Sequence, residues 1–200
     1  RGNRQMAREQ PATTAHWNSL PGMMLDQARR HPRKPMLRYW RNRAWQRMAW
    51  GEFAIQVAAI AAFLRARGLE PGDRVLLVSE NRPEFMIADN AIMAIGAVTV
   101  PTYATNTVAD HAHVLRDSGA RVAIVSTRIL AERVLQAAPL DLLVGMEQLP
   151  PAPAETRAIP WAELEAVGAD LAMLIAEVEE IPAGRLARSP GPAMTAWPRR

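Results

Sequence analysis

Gly68-Leu69-Glu70-Pro71-Gly72-Asp73-Arg74-Val75-Leu76-Leu77-Val78 decides the fold. Gly68 suits the left-handed exit from a helix, and Glu70-Pro71-Gly72-Asp73 is a turn. Val75 to Val78 then form an unbroken apolar run, which a strand buried on both faces of a parallel sheet requires. Upstream, Gly51 to Arg67 predicts a helix, with Phe53, Val57, Ile60 and Leu64 recurring as one apolar stripe.

Downstream the unit repeats. Pro83 is placed to open a helix, and Phe85, Ala88, Ile92 and Ile95 supply its buried side up to Gly96. Ala97 to Val100 is a second strand, stopped by Pro101. A helix over Val108–Ser118 ends at Gly119, and the strand Arg121–Val125 follows. Ile129–Ala137 and Leu140–Gly145 give one more helix and strand. This alternation predicts right-handed crossovers: an α/β fold with a partial, mostly parallel sheet and helices on both faces.

The flanks differ in character. Residues 1–20 lack apolar periodicity and are expected to be a disordered leader. Pro21 to Arg30 is expected to be helical, stopped by Pro32. Met36–Trp40 and Ala44–Ala49 predict a β-hairpin around Arg41-Asn42-Arg43. After Gly145 prolines accumulate, nine of the 16 lying from Pro139 onward, and Pro150-Pro151-Ala152-Pro153 reads as a stiff surface loop. Trp161–Val167 and Asp170–Glu179 suit short helices. Residues 182–200 show no apolar face and are expected to be a disordered tail.

Composition limits the classes of function. The chain has 200 residues with 49% hydrophobic and 22% charged side chains, a globular balance. It contains no cysteine, which excludes disulfides, thiolate nucleophiles and cysteine-ligated zinc. No apolar run approaches the roughly 20 residues that cross a bilayer. The net charge of +4 is uneven: residues 1–50 carry 11 basic and 2 acidic groups, whereas residues 51–200 carry 13 basic and 18 acidic. A nucleic-acid partner is therefore not expected. The compartment expected is cytoplasmic, with peripheral contact at the inner face of the membrane left open.

An ordered series of motifs carries a resemblance. Gly68 to Val75, then Ser79-Glu80-Asn81-Arg82-Pro83-Glu84-Phe85, then Gly96-Ala97-Val98-Thr99-Val100-Pro101-Thr102-Tyr103 resembles the AMP-forming adenylating enzymes. Within them it is most similar to the N-terminal part of the bacterial long-chain fatty-acid–CoA ligases. Trp50-Gly51-Glu52-Phe53 and His113 to Arg121 extend the likeness, which runs from about Leu20 to Trp161.

The resemblance implies that residues 21–181 are an incomplete N-terminal adenylating-enzyme domain. It also implies a ligase that uses ATP, Mg²⁺ and CoA. A long-chain fatty acid attacks the α-phosphate to give acyl-adenylate and pyrophosphate, and CoA then displaces AMP. Such enzymes hold the ATP phosphates on a Ser/Thr- and Gly-rich loop ending in lysine. Here the corresponding stretch reads Arg188-Ser189-Pro190-Gly191-Pro192, and Lys34 is the only lysine. Truncation and a frame change near residue 187 both account for this, and the start at Arg1 suggests a clipped, mis-assigned or engineered beginning. The 200-residue chain alone is expected to be inactive, to bind none of these cofactors tightly, and to be a marginal, association-prone fragment. The competing reading is a non-catalytic α/β binding module that uses its basic hairpin as contact surface.

No catalytic residue and no metal ligand is identified. Arg128 and Arg133, after the strand ending at Val125, are the cofactor-binding candidates, for the anionic nucleotide of CoA; solvated helix charges are the plainer reading. Ser79 and Asn81 follow a buried strand where α/β sheets place functional groups, but helix capping suits them better. His111 and His113 are two apart on a helix and point to different sides, so they cannot share one ion. Arg29 to Arg47 holds eight basic residues and no acid, interleaved with Tyr39, Trp40 and Trp45. A solvated hairpin with its aromatic faces packed on the domain is favoured there over a stacking platform for nucleic acid.

Overall fold

The computed structural model describes residues 17–181. The tail expected over residues 182–200 and most of the leader, residues 1–16, lie outside that range. Trp17 to Leu20, placed in the leader, belong to the folded part. Ser19 caps helix α1 (Leu20–Arg30), its hydroxyl accepting from the Gly22 N–H at 3.1 Å, and the Trp17 indole donates to Asp26.

Next come β1 (Pro35–Arg41) and β2 (Ala44–Ala49), an antiparallel hairpin whose turn residues Asn42 and Arg43 both take positive φ. Such paired left-handed residues match the twist of the flanking strands. Then follow α2 (Trp50–Ala66), β3 (Arg74–Val78), α3 (Pro83–Ala94), β4 (Val98–Thr102), α4 (Val108–Ser118), β5 (Val122–Val125), α5 (Arg128–Ala137), β6 (Leu142–Gly145), β7 (Arg157–Pro160), α6 (Trp161–Glu165) and α7 (Leu171–Glu179). Strands β3 to β7 form one parallel sheet in the order β4-β3-β5-β6-β7.

Alternate residues of each strand serve opposite faces. Val75, Leu77, Ile124, Leu142 and Val144 pack beneath α1, α2, α3, α6 and α7. Leu76, Val78, Ala123, Val125 and Leu143 pack beneath α4 and α5. Helix α2 buries more than its expected stripe. Phe53, Val57, Ile60 and Leu64 are fully enclosed, as are Ala54 and Ala61 on its other sides, because four helices surround it. Each large side chain so buried contributes about 1.5–3 kcal/mol.

Two strand expectations needed correction. β4 does not stop at Pro101 but continues to Thr102; it is an edge strand, where a residue without an N–H costs no ladder bond. β7 was not foreseen. Only Ile159 of Arg157-Ala158-Ile159-Pro160 is buried, so the segment has no apolar pattern to announce it.

Candidate functional site at the carboxyl edge of the sheet

From β3 the chain crosses to β4 on one side, and from β4 it returns past β3 to β5 on the other. The strand order therefore reverses between β3 and β5, and in open α/β sheets ligands bind outside the carboxyl ends of the strands at that point. Ser79 to Arg82 and Ser126–Thr127 border this crevice. Ser126 is fully buried; its N–H donates to the Val78 carbonyl at 3.0 Å and its hydroxyl to the Glu80 carboxylate at 2.5 Å. Ser79 donates to the Glu80 carbonyl at 2.8 Å. Ser79, Glu80 and Ser126 thus bond among themselves.

Neither Ser79 nor Asn81 caps α3. The cap position falls to Arg82, with Pro83 opening the first turn and no side-chain cap bond. Arg82 instead reaches Glu84 at 3.0 Å and Glu147 at 2.8 Å, while Arg41 of the hairpin meets Glu84 at 2.6 Å. Burial alone would raise the Glu84 carboxyl, but the hydrogen bonds from Arg82, its own backbone and Arg41 outweigh it and hold the pKa below the usual range. Glu84 therefore stays ionised and ties the hairpin to α3, while Arg82 carries the link to Glu147 in the loop after β6.

Arg128 and Arg133 lie on α5 but do not converge. Arg128 is half-exposed and pairs with Glu132 at 3.0 Å. Arg133 turns inward and donates to the carbonyls of Ala104 and Asn106 at 3.3 and 3.4 Å, pinning the loop between β4 and α4. His111 and His113 also separate. His111 is fully buried, its Nδ1 3.3 Å from the Thr102 hydroxyl, and burial followed by the nearby Arg133 charge lowers its pKa. His113 faces Arg116 at 3.1 Å.

A second groove, of about 340 Å³, lies at the opposite, amino edge of the sheet. Arg67, Arg74, Arg121 and Arg157 line it with Asp73 and Asp141. Sequence reading missed it, since these residues come from distant segments and meet only when the strand starts align. Arg74 is held by the Ser118 and Gly72 carbonyls and Arg121 by Asp141. This edge lies away from the topological switch point.

The described switch-point loops present no glycine-rich phosphate cradle of the kind ATP requires. The switch-point loops contain neither glycine nor lysine, and the carboxylates of Glu80 and Glu147 are held by Ser126 and Arg82. Phosphate cradles need bare backbone N–H groups and positive charge. Among the described residues no three His, Asp or Glu side chains are grouped to hold a metal ion.

Fold and edge define the class: an open, wound α/β sheet of the kind that receives ligands at its carboxyl edge. Within that class the chain belongs to the AMP-binding enzyme family, whose profile matches residues 24–181. Long-chain-fatty-acid–CoA ligase FadD15 of Mycobacterium tuberculosis is 34% identical over 124 residues, which cover 62% of this chain and 21% of that one. The uncharacterized protein Rv1549 of the same species is 30% identical over 107 residues, 54% of this chain and 61% of that protein. Feruloyl-CoA synthase of an Amycolatopsis species is 39% identical over 77 residues, 38% of this chain and 16% of that one. This chain thus spans about a fifth of the length of FadD15. Acetoacetyl-CoA synthetase from Streptomyces lividans superposes with a TM-score of 0.65 at 23% identity, covering 75% of this chain and 25% of that one. At that identity the likeness establishes the fold alone.

Proposed function

We propose that this chain is the N-terminal portion of an AMP-forming ligase that joins long-chain fatty acids to CoA. The observation that carries the reading is the 124-residue match to FadD15, which is too long to rest on one motif. In this reading the described residues are scaffold: they set the sheet, close its carboxyl edge with Glu80–Ser126 and Arg82–Glu84, and leave ATP chemistry to groups outside the described range. The chain alone forms no acyl-CoA and holds ATP, Mg²⁺ and CoA weakly. Of the two CoA candidates Arg128 is the better placed, because Arg133 is committed to backbone carbonyls. The chain works in the cytoplasm.

The shorter match to a feruloyl-CoA synthase supports a second reading, an aromatic acid in place of the fatty acid. The two separate in a fusion in which residues 24–181 replace the matching segment of FadD15. Acyl-CoA formation is compared with palmitate and with ferulate. Turnover at least tenfold faster with palmitate is expected. Faster turnover with ferulate would move the assignment to aromatic acids, and a folded fusion inactive on both would remove the ligase reading.

A further inference from the structure

The amino edge of the sheet gathers positive charge that the chain around it lacks. Residues 51–200 carry 13 basic and 18 acidic groups, yet four arginines and only two aspartates line the groove of about 340 Å³ at this edge. Asp141 is taken up by Arg121, which grips it with two nitrogens at 2.5 and 2.7 Å. Asp73 accepts from the Glu70 N–H at 2.8 Å and closes its own turn, with no arginine paired to it. Arg67, Arg74 and Arg157 are therefore left without a carboxylate among the described residues. Arg74 is already aimed. Its Nε donates to the Ser118 carbonyl at 2.8 Å and its Nη1 to the Gly72 carbonyl at 3.1 Å, which orients the guanidinium without neutralising it. Its Nη2 lies against Gly119, where a Cβ would stand 3.0 Å away, so the glycine keeps that nitrogen open. Arg67 rests over the Phe63 ring at 4.7 Å, which fixes its plane and leaves its edge N–H groups to donate. The exposed Arg157 side chain bonds nothing among the described residues.

We propose that this groove binds a phosphoryl dianion, as free inorganic phosphate or as the phosphate of a small nucleotide. Guanidinium forks match phosphate oxygens in pairs, and a tetrahedral phosphoryl group offers oxygens in several directions at once to several arginines. Its charge at neutral pH, about −1.5 to −2, matches the two positive charges by which the four arginines exceed the two aspartates. A single carboxylate would offset only half of that excess. The volume is that of a small-molecule site. An extended acidic peptide fits less well, because Asp73 and Asp141 interrupt the basic lining. None of these residues belongs to the switch-point crevice, so the site goes beyond the ligase reading and stands or falls independently of it.

The test is calorimetric titration of the 200-residue chain with inorganic phosphate, with uridine 5′-monophosphate and with acetate, all at one ionic strength. Both phosphates are expected to saturate a single site and acetate to give none; the tighter phosphate names the source. Arg67→Gln with Arg157→Gln is expected to weaken binding about tenfold or more, the loss of charge-assisted hydrogen bonds. Neither side chain has a hydrogen bond or ion pair among the described residues, and circular dichroism checks that the variant folds. Arg128→Gln, at the opposite edge, is expected to leave binding unchanged. A second readout needs no variant: bound uridine 5′-monophosphate protects Arg67 and Arg157 from phenylglyoxal, located by mass spectrometry, while Arg128 still reacts. No saturable binding, acetate binding equally, an unaffected double variant, loss through Arg128→Gln or unchanged labelling would each overturn the proposal. So would tighter binding of a polyglutamate peptide, which would give the groove to an acidic protein segment.

Discussion

Gly145 ends β6 where the loop turns back on itself. A methyl group there would lie 2.4 Å from Leu149 Cδ2 and 3.0 Å from the Glu147 carbonyl oxygen, so either the leucine or the loop must move. Gly145→Ala is expected to lower stability by about 1–3 kcal/mol, the usual cost of overpacking, read from the urea midpoint. Asp26 offers a test by pH. Burial alone would raise its pKa, yet hydrogen bonds from Arg30, Arg29 and Trp17 win and bring it from 3.8 to about 2. Because the folded value lies below the unfolded one, Asp26 stabilises the chain above about pH 4, and the gain disappears as pH falls toward 2. Urea midpoints of the chain and of Asp26→Asn should differ at neutral pH and converge over that interval. A gap unchanged down to pH 2 would show that the α1 contacts carry no linkage. Neither Gly145 nor Asp26 was singled out by sequence reading, because what they do depends on which atoms the fold brings against them.

At the scale of elements, legibility followed burial. The strand Arg74–Val78 and the helix around Phe53 to Leu64 were readable because both are enclosed, and enclosure imposes an apolar pattern. Gly96 and Gly119 were equally readable. Both take positive φ, and Gly119 ends α4 in the left-handed region. β7 was invisible because it buries one residue, and the hairpin misled because Trp40 and Trp45 face outward instead of inward. The attachment of that hairpin was illegible too, for Arg41 and Glu84 are 43 positions apart and meet only in the fold. Glu84→Ala should cost about 1.5–3 kcal/mol, the range for hydrogen bonds to a charged group. It should also speed proteolysis at Arg41 and Arg43, as the hairpin loses its tie to α3. Protection of those sites equal to the unsubstituted chain would assign hairpin docking to Leu37, Tyr39 and Met48 alone.

For the whole molecule, part of the uncovered apolar surface lies at the carboxyl edge. Met86, Tyr103 and Ile129 follow the ends of β3, β4 and β5 and remain exposed, Tyr103 at 79%. We expect the 200-residue chain to bind a hydrophobic dye there and to melt with low cooperativity; a sharp calorimetric transition without dye binding would favour a self-sufficient binding module. The family was legible from the order of its scaffold motifs, whereas the site was not, since the edge residues that border it, Glu80, Ser126 and Arg82, bond to one another or to neighbouring acids and carry no motif of their own.

The central proposal is that the chain is the N-terminal portion of an acyl-CoA ligase and does not act on ATP by itself. Pyrophosphate release with ATP, Mg²⁺ and palmitate tests it most directly, measured on the 200-residue chain and on the FadD15 fusion that carries residues 24–181. Background release from the chain and steady turnover by the fusion are the predicted results. Turnover by the chain alone, or none from a folded fusion, would contradict the account.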